Sequence, residues 1–396
     1  KARFASNLTV GTVTGGTVTI AGATASVGTL SGGTINLGTT ALTVDAGTFG
    51  GLLAGANGSL IKATAGVLTL TGANTYGGGT SVNEGELIIQ DAASLGTGAV
   101  AVAAGATLNL NNLGVSNAIS VATGGIITGG PDVTAVSTSG SAAVTTVLTG
   151  TGGLEKTDGG ELTLTTPNFF TGGITANAAG AVISAAHLAD DSSSLGASAL
   201  TDPTKLVLGN GATLEFTGST ATTTFRSFTV NGAAALAVDA SAAPLTFSSA
   251  SVMALDPADA TPELRLVANN IGVNRFEAQI SADDLAAGRG LAALAIDGTG
   301  KWVLGGSANR FKGDVRVDIA GGATLGFESG ALGSGSTYAS SVIEVANGSK
   351  LAWSGANTDD ISSWVGAQSI VNQAVETYGD LHVVVNNAGI IRDRVL

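Results

Sequence analysis

One stretch of this chain recurs, and the recurrence limits the folds open to it. Residues 62–79 read KATAGVLTLTGANTYGGG, and residues 156–173 read KTDGGELTLTTPNFFTGG. From the Lys, a Gly lies four residues on (Gly66, Gly160), an Asn twelve on (Asn74, Asn168) and an aromatic fourteen on (Tyr76, Phe170). A Gly pair begins sixteen on, at Gly78 and Gly172. A looser third copy keeps the end of the pattern in Asn309, Phe311 and Gly313. Period and phase survive while most residues change. That is the mark of stacked equivalent units, each burying its face against its neighbours, not of a single core.

A shorter repeat precedes it. Residues 10–20 (VGTVTGGTVTI) and 27–37 (VGTLSGGTINL) match at an offset of 17, with Val10/Val27, Val13/Leu30, Val18/Ile35 and Ile20/Leu37 in register. Apolar residues alternate with Thr, Ser or Asn, the period of a half-buried strand. The pairs Gly15-Gly16 and Gly32-Gly33 punctuate these strands as bends. A strand–bend–strand unit of this length suits one coil of a β-solenoid, with Thr on the outer face. A second set of positions also recurs: Val102, Gly105 and Leu108; Leu208, Gly211 and Leu214; Val345, Gly348 and Leu351. Each follows a Leu-Gly pair (95–96, 195–196 and 332–333), with the longer insertions expected as loops on one face. Residues 225–300 are more degenerate. Residues 256–266 and 280–290 are richer in charge, Pro257 and Pro262 argue against a central strand there, and a short helix is expected over 282–287.

Composition removes several classes. Gly makes up 60 of 396 residues, about twice its usual share, and charged residues are 11%. Disorder does not fit a chain that is 44% hydrophobic with its Val, Ile and Leu in alternating runs. Net charge is −13 with no Lys/Arg cluster, which argues against nucleic-acid binding and adsorption to anionic membrane. Cysteine is absent, so there is no disulfide framework and no thiolate metal site. No apolar run is long enough for a membrane helix. The sequence starts at Lys1 without Met or an apolar leader, as a processed or truncated start would.

The run KATAGVLTLTGANTYGGGTSVNEGEL, residues 62–87, resembles the autotransporter-associated β-strand repeat of Gram-negative type V secreted proteins. The repeated pattern extends over roughly residues 1–353. The resemblance implies an elongated right-handed parallel β-helix, carried to the cell surface or released outside the cell. It also implies a membrane β-barrel translocator, and no such barrel follows in this sequence.

From about residue 357 the texture changes. Trp364, Ala367, Ile370, Val371, Ala374 and Val375 have helical spacing, and 381–385 is a buried-type strand run. This tail resembles the middle of a short-chain dehydrogenase/reductase, with Asn386, Asn387, Ala388 and Gly389 matching the NNAG motif of that family. The Gly-rich cofactor loop and the Tyr-x-x-x-Lys that the resemblance requires are both missing, so the motif reads as vestigial and no cofactor is expected.

The remaining candidates for chemistry are thin. His187 lies near Asp190, Asp191 and 192–194, but no nucleophile-elbow pattern surrounds those serines. His382 sits beside the tail strand. The acidic pairs Asp190/Asp191 and Asp359/Asp360 lack calcium-loop spacing, so no metal is expected. The Gly-rich stretches lack the Lys-Ser/Thr of a phosphate cradle and read as solenoid corners. The in-phase Asn residues read as structural positions, and the aromatics as packing or capping groups. An aromatic sugar-binding ladder is the sharper alternative.

The expectation is therefore an all-β solenoid over 1–355, with a short α/β dehydrogenase-like fragment over 356–396. It would be non-enzymatic, acting as a stalk or adhesive surface toward a host-cell or matrix surface or toward itself, without nucleic acid or direct membrane insertion. The alternatives are an NAD(P)-dependent short-chain oxidoreductase fragment fused to a solenoid, a solenoid polysaccharide lyase or hydrolase, and a membrane β-barrel.

Overall fold

A computed structural model describes residues 2–4, 8–20, 24–111, 113–122, 124–128, 133–138, 141–144, 147–148, 151–305, 311–317, 322–328, 331, 343–346 and 348–354. These residues form parallel β-solenoid coils, divided into one unit of residues 1–187 with 191–199 and a second of 188–190 with 200–396. The dehydrogenase-like tail, with Asn386 to Gly389 and His382, lies outside the described residues.

In the first unit the offset seen in the sequence is the strand register. Strand Leu8–Val13 lies parallel to Thr24–Leu30 with Val10 opposite Val27 and Val13 opposite Leu30. Strand Thr17–Ile20 pairs with Thr34–Asn36 with Val18 opposite Ile35. Strand Ala41–Phe49 adds the next coil, Val44 opposite Val27. The steps then lengthen, with Leu42 opposite Leu60, Leu60 opposite Thr80 and Thr80 opposite Val100. Alternate residues point inward and stack coil on coil. Leu68, Leu87, Leu108 and Ile127 are successive partners in one such ladder, all fully buried. Each buried aliphatic chain of this size is worth roughly 1.5–3 kcal/mol relative to exposure. Gly in excess serves the corners, where the chain turns within a few residues. The bends at 15–16 and 32–33 each end in a left-handed Gly, Gly16 and Gly33.

In the second unit the coils are wider. Leu208 lies opposite Val230, Val230 opposite Leu255, and Met253 opposite Ile280. One six-stranded sheet runs through Thr222–Thr224, Leu245–Phe247, Val273–Phe276, Lys301–Leu304, Thr324–Phe327 and Lys350–Trp353. Behind it, the buried rings of Phe228, Phe247 and Phe276 meet at centroid distances of 5.7–6.4 Å. Contrary to the expectation from the two prolines, Glu263–Ala268 is a central strand, paired with Ala233–Val238 on one side and Leu291–Gly298 on the other, because it begins just after Pro262 and Pro257 lies in a turn. The expected short helix is present as Ala282–Ala286. Ser281 Oγ accepts the Asp284 N–H at 3.1 Å. The buried Asp284 carboxylate accepts the Leu255 N–H at 2.9 Å and pairs with Arg289, which docks the helix on the preceding coil.

The Val/Leu–Gly–Leu pattern marks a corner, not a fixed side of the coil. Within the second unit, Leu208, Gly211 and Leu214 join strands Leu206–Gly209 and Ala212–Phe216. Val345, Gly348 and Leu351 join Ile343–Val345 to Lys350–Trp353, which belongs to the six-stranded sheet. Gly211 and Gly348 are both left-handed, at φ +86° and +84°.

The repeat corner as candidate functional site

The two clear repeat copies fold to the same arrangement. Lys62 ends strand Ser59–Lys62 and Lys156 ends Gly153–Lys156, and both side chains are buried. Each ammonium turns back on the corner that follows it. Lys62 Nζ donates to the carbonyls of Thr64 and, one coil on, Glu84 at 3.2 Å. Lys156 Nζ donates to the carbonyls of Asp158 at 2.7 Å and Gly159 at 3.0 Å, and to the Asp158 carboxylate at 2.7 Å. Burial lowers the Lys62 pKa below its usual 10.5, against the pull of the Asp45 and Glu84 carboxylates.

Asn74 and Asn168 are buried, and each ties three coils together. Asn74 Oδ1 accepts the Leu53 N–H at 2.8 Å from the coil before, and Nδ2 donates to the Ser94 carbonyl at 2.6 Å in the coil after. Asn168 does the same with Leu148 N–H at 2.8 Å and the Ser194 carbonyl at 2.7 Å. A short amide suits this place because it offers a donor and an acceptor to two backbones at once.

The aromatics two residues on are fully buried, so Tyr76 and Phe170 offer no face to a sugar. Burial pushes the Tyr76 phenol well above its usual pKa, although its hydrogen bond with Thr80 pulls the other way. Each ring packs on the Gly of the next Leu-Gly pair. A Cβ on Gly96 would lie 2.3 Å from the Tyr76 carbonyl oxygen, and one on Gly196 would lie 2.6 Å from that of Phe170. The first residues of the Gly pairs also approach backbone. Gly78 N–H donates to the Gly58 carbonyl at 2.8 Å, and Gly172 N–H to that of Gly152 at 2.9 Å. Gly66 and Gly160 share a sequence position but not a conformation, since of the two only Gly160 is left-handed. Phe311 and Gly313 fall in strand Phe311–Val317, while Asn309 lies outside the described residues.

His187 is exposed, and its backbone N–H donates to Ser194 Oγ at 3.1 Å while its carbonyl accepts the Ser194 N–H. The serine side chain is thus engaged with backbone. Asp190 accepts from Thr224 Oγ1 at 2.8 Å and Phe225 N–H at 3.1 Å, fastening residues 188–190 to strand Thr222–Thr224. Burial brings nearby Arg226 down to about 10, opposed by the Asp190 carboxylate. Among the described residues no group of three or more His, Asp or Glu converges as metal ligands, and no helix is long and apolar enough to cross a membrane. Reading the sequence for chemistry missed Thr80, whose signal is its placement four residues after a hydroxyl-bearing ring.

Parallel coils joined at equivalent corners define a repeat-built β-solenoid. Residues 60–89, 154–182 and 297–325 match the passenger-associated-transport-repeat family. The chain carries the repeats of autotransporter passengers. It is 31% identical over 266 residues to the adhesin BmaC autotransporter of Brucella suis biovar 1 (strain 1330). That alignment takes in 64% of this chain and 8% of the adhesin, so the chain spans a small part of the relative's length. These likenesses place the chain at the cell surface or outside the cell of a Gram-negative bacterium. No solved structure matches the chain.

Proposed function

We propose that this chain is an adhesion-type stretch of an autotransporter passenger, acting without catalysis by presenting the outer faces of stacked coils. One observation carries the reading. The recurrent polar and aromatic residues (Lys62, Asn74, Tyr76, Lys156, Asn168, Phe170) are buried, the Asn pair tying coil to coil and the lysines closing the corners that follow them. Contact with the outside falls to the outward Thr, Ser and Asn positions between them. That the Brucella relative is an adhesin supports an adhesive role. The partner is a host-cell or matrix surface, with self-association as the competing outcome. The dehydrogenase-like residues 356–396 are a separate, non-catalytic appendage to the solenoid of 1–355.

The test is adhesion of chain-coated beads to cultured host cells and to immobilised matrix, beside light scattering of the chain alone. Saturable adhesion competed by free chain is the expected result. Scattering that grows with concentration, without adhesion, moves the reading to self-association, and the absence of both adhesion and association defeats it. Limited proteolysis with and without NAD(P)H tests the appendage. Rapid, cofactor-insensitive loss beyond about residue 355 is expected, and protection by cofactor would overturn the non-enzymatic reading.

A further inference from the structure

Residues 263–280 fall in none of the three matched repeats. They nevertheless rebuild the Asn–aromatic half of the corner, without its Lys and Gly pair. Asn274, Phe276, Ala278 and Ile280 follow the spacing of Asn74, Tyr76, Gly78 and Thr80, and of Asn168, Phe170, Gly172 and Ile174. Asn274 is fully buried. Its Oδ1 accepts the Leu245 N–H at 3.0 Å from the coil before, and its Nδ2 donates to the Lys301 carbonyl at 3.2 Å in the coil after. Phe276 and Ile280 are buried as their counterparts are. The strand leading in, Glu263–Ala268, ends six residues before Asn274, where Val67–Leu70 and Gly160–Leu164 end four before theirs. The extra length brings in a second buried amide. Asn270 Oδ1 accepts from Asn274 Nδ2 at 2.8 Å, and Asn270 Nδ2 donates back to Asn274 Oδ1 at 3.3 Å.

We infer that residues 263–280 are a further unit of the passenger repeat, and that its Asn274 is a clamp coupling the coils on either side. The amide at each clamp accepts its N–H when its own coil settles on the one before, and at Asn168 and Asn274 one Nδ2 proton is also placed within that coil, on the Thr166 carbonyl at 3.2 Å and Asn270 Oδ1 at 2.8 Å. It is completed only when the next coil delivers a carbonyl, about 20 residues on at Asn74, 26 at Asn168 and 27 at Asn274. A buried amide with one arm unmade is costly, so a stack ending at a clamp gains from the coil that follows. The clamps thereby make neighbouring coils fold and open together. The inference stands on the hydrogen-bond geometry and does not depend on adhesion.

Residue-resolved hydrogen exchange on the whole chain tests it. In Asn274→Ala the Leu245 amide and the amides of strand Lys301–Leu304 should exchange at least about tenfold faster, while those of Thr222–Thr224 change little. In Asn74→Ala the Leu53 amide should respond in the same way. Unchanged protection at Leu245 in folded Asn274→Ala would overturn the clamp. Should that variant not fold, Asn270→Ala decides the matter. It removes only the supporting amide and should speed exchange at Leu245 about threefold, and no change there counts against the proposal. Pulse labelling during refolding adds the coupling. Leu245 and Lys301–Leu304 should gain protection in one phase in the natural chain, and two separate phases would refute the coupling.

Discussion

The phenol oxygen of Tyr76 lies 2.5 Å from Thr80 Oγ1 in the interior of the first unit, and Thr80 Oγ1 in turn lies 3.3 Å from the Leu95 carbonyl. Where the ring lacks a hydroxyl, the residue four on is aliphatic: Phe170 with Ile174, Phe276 with Ile280, Phe311 with Val315. The matched pair makes a prediction. Thr80→Ile strands a buried phenol and should cost about 1–3 kcal/mol, and Tyr76→Phe should cost about 1 kcal/mol. The double variant, which copies the second repeat, should recover most of that loss. Denaturant unfolding of the four proteins measures the coupling, and additive losses would break the pairing.

Asn74→Ala leaves the Leu53 N–H and the Ser94 carbonyl without their partners in a buried place. The expected loss is about 2–4 kcal/mol, against a few tenths for an exposed Asn such as Asn57. A thermal shift no larger for Asn74→Ala than for Asn57→Ala would contradict this.

Gly96 sits at φ +65°, with the Tyr76 carbonyl and ring where a Cβ would go. Left-handed backbone alone costs an alanine roughly 1–2 kcal/mol, and the overlap adds to it. Gly96→Ala should therefore destabilise by more than about 2 kcal/mol. Gly211→Ala, left-handed with nothing within 4 Å of where its methyl would sit, should show the backbone cost alone. Equal losses at the two sites would argue that the ring contact is slack.

Two carboxylates shape the acid limb of the second unit. Asp202 accepts from Thr204 Oγ1 at 2.6 Å and Thr204 N–H at 2.9 Å, and Asp239 accepts from Ser241 Oγ at 2.6 Å and Ser241 N–H at 2.8 Å. These bonds, the side-chain ones first, hold both groups below the usual 3.8. Their contribution is thus fully present above 3.8 and lost as pH falls through the lower folded values. Asp202→Asn with Asp239→Asn keeps the acceptor oxygens and removes the titration. The melting temperature of the double variant should fall less steeply below pH 3.8 than that of the natural chain, and parallel slopes would exclude these groups.

Much of this architecture is legible in the residues. The offset between Val10 and Val27 is the strand register itself, because in a stack of equal coils the repeat length and the pairing step are one quantity. The buried Asn and aromatic positions also stand out, since they keep phase where exposed residues drift. Two things hide. Asn274 escapes a count from its leading strand because two extra residues intervene, although Asn-x-aromatic survives at 274–276. The role of each Asn escapes as well, because its partners lie 20 or more residues away in both directions, and spacing alone does not name them.

The exchange of Tyr76-Thr80 for Phe170-Ile174 has a genetic consequence. Residues 74–80 and 168–174 each hold a complete, internally matched set, so recombination that swaps the whole block between copies preserves every contact within it. Conversion of a single codon does not. Unequal crossing-over between copies would therefore add or delete entire coils in frame with their cores intact, and point substitution at position 76 or 80 would cost least where its companion had already changed.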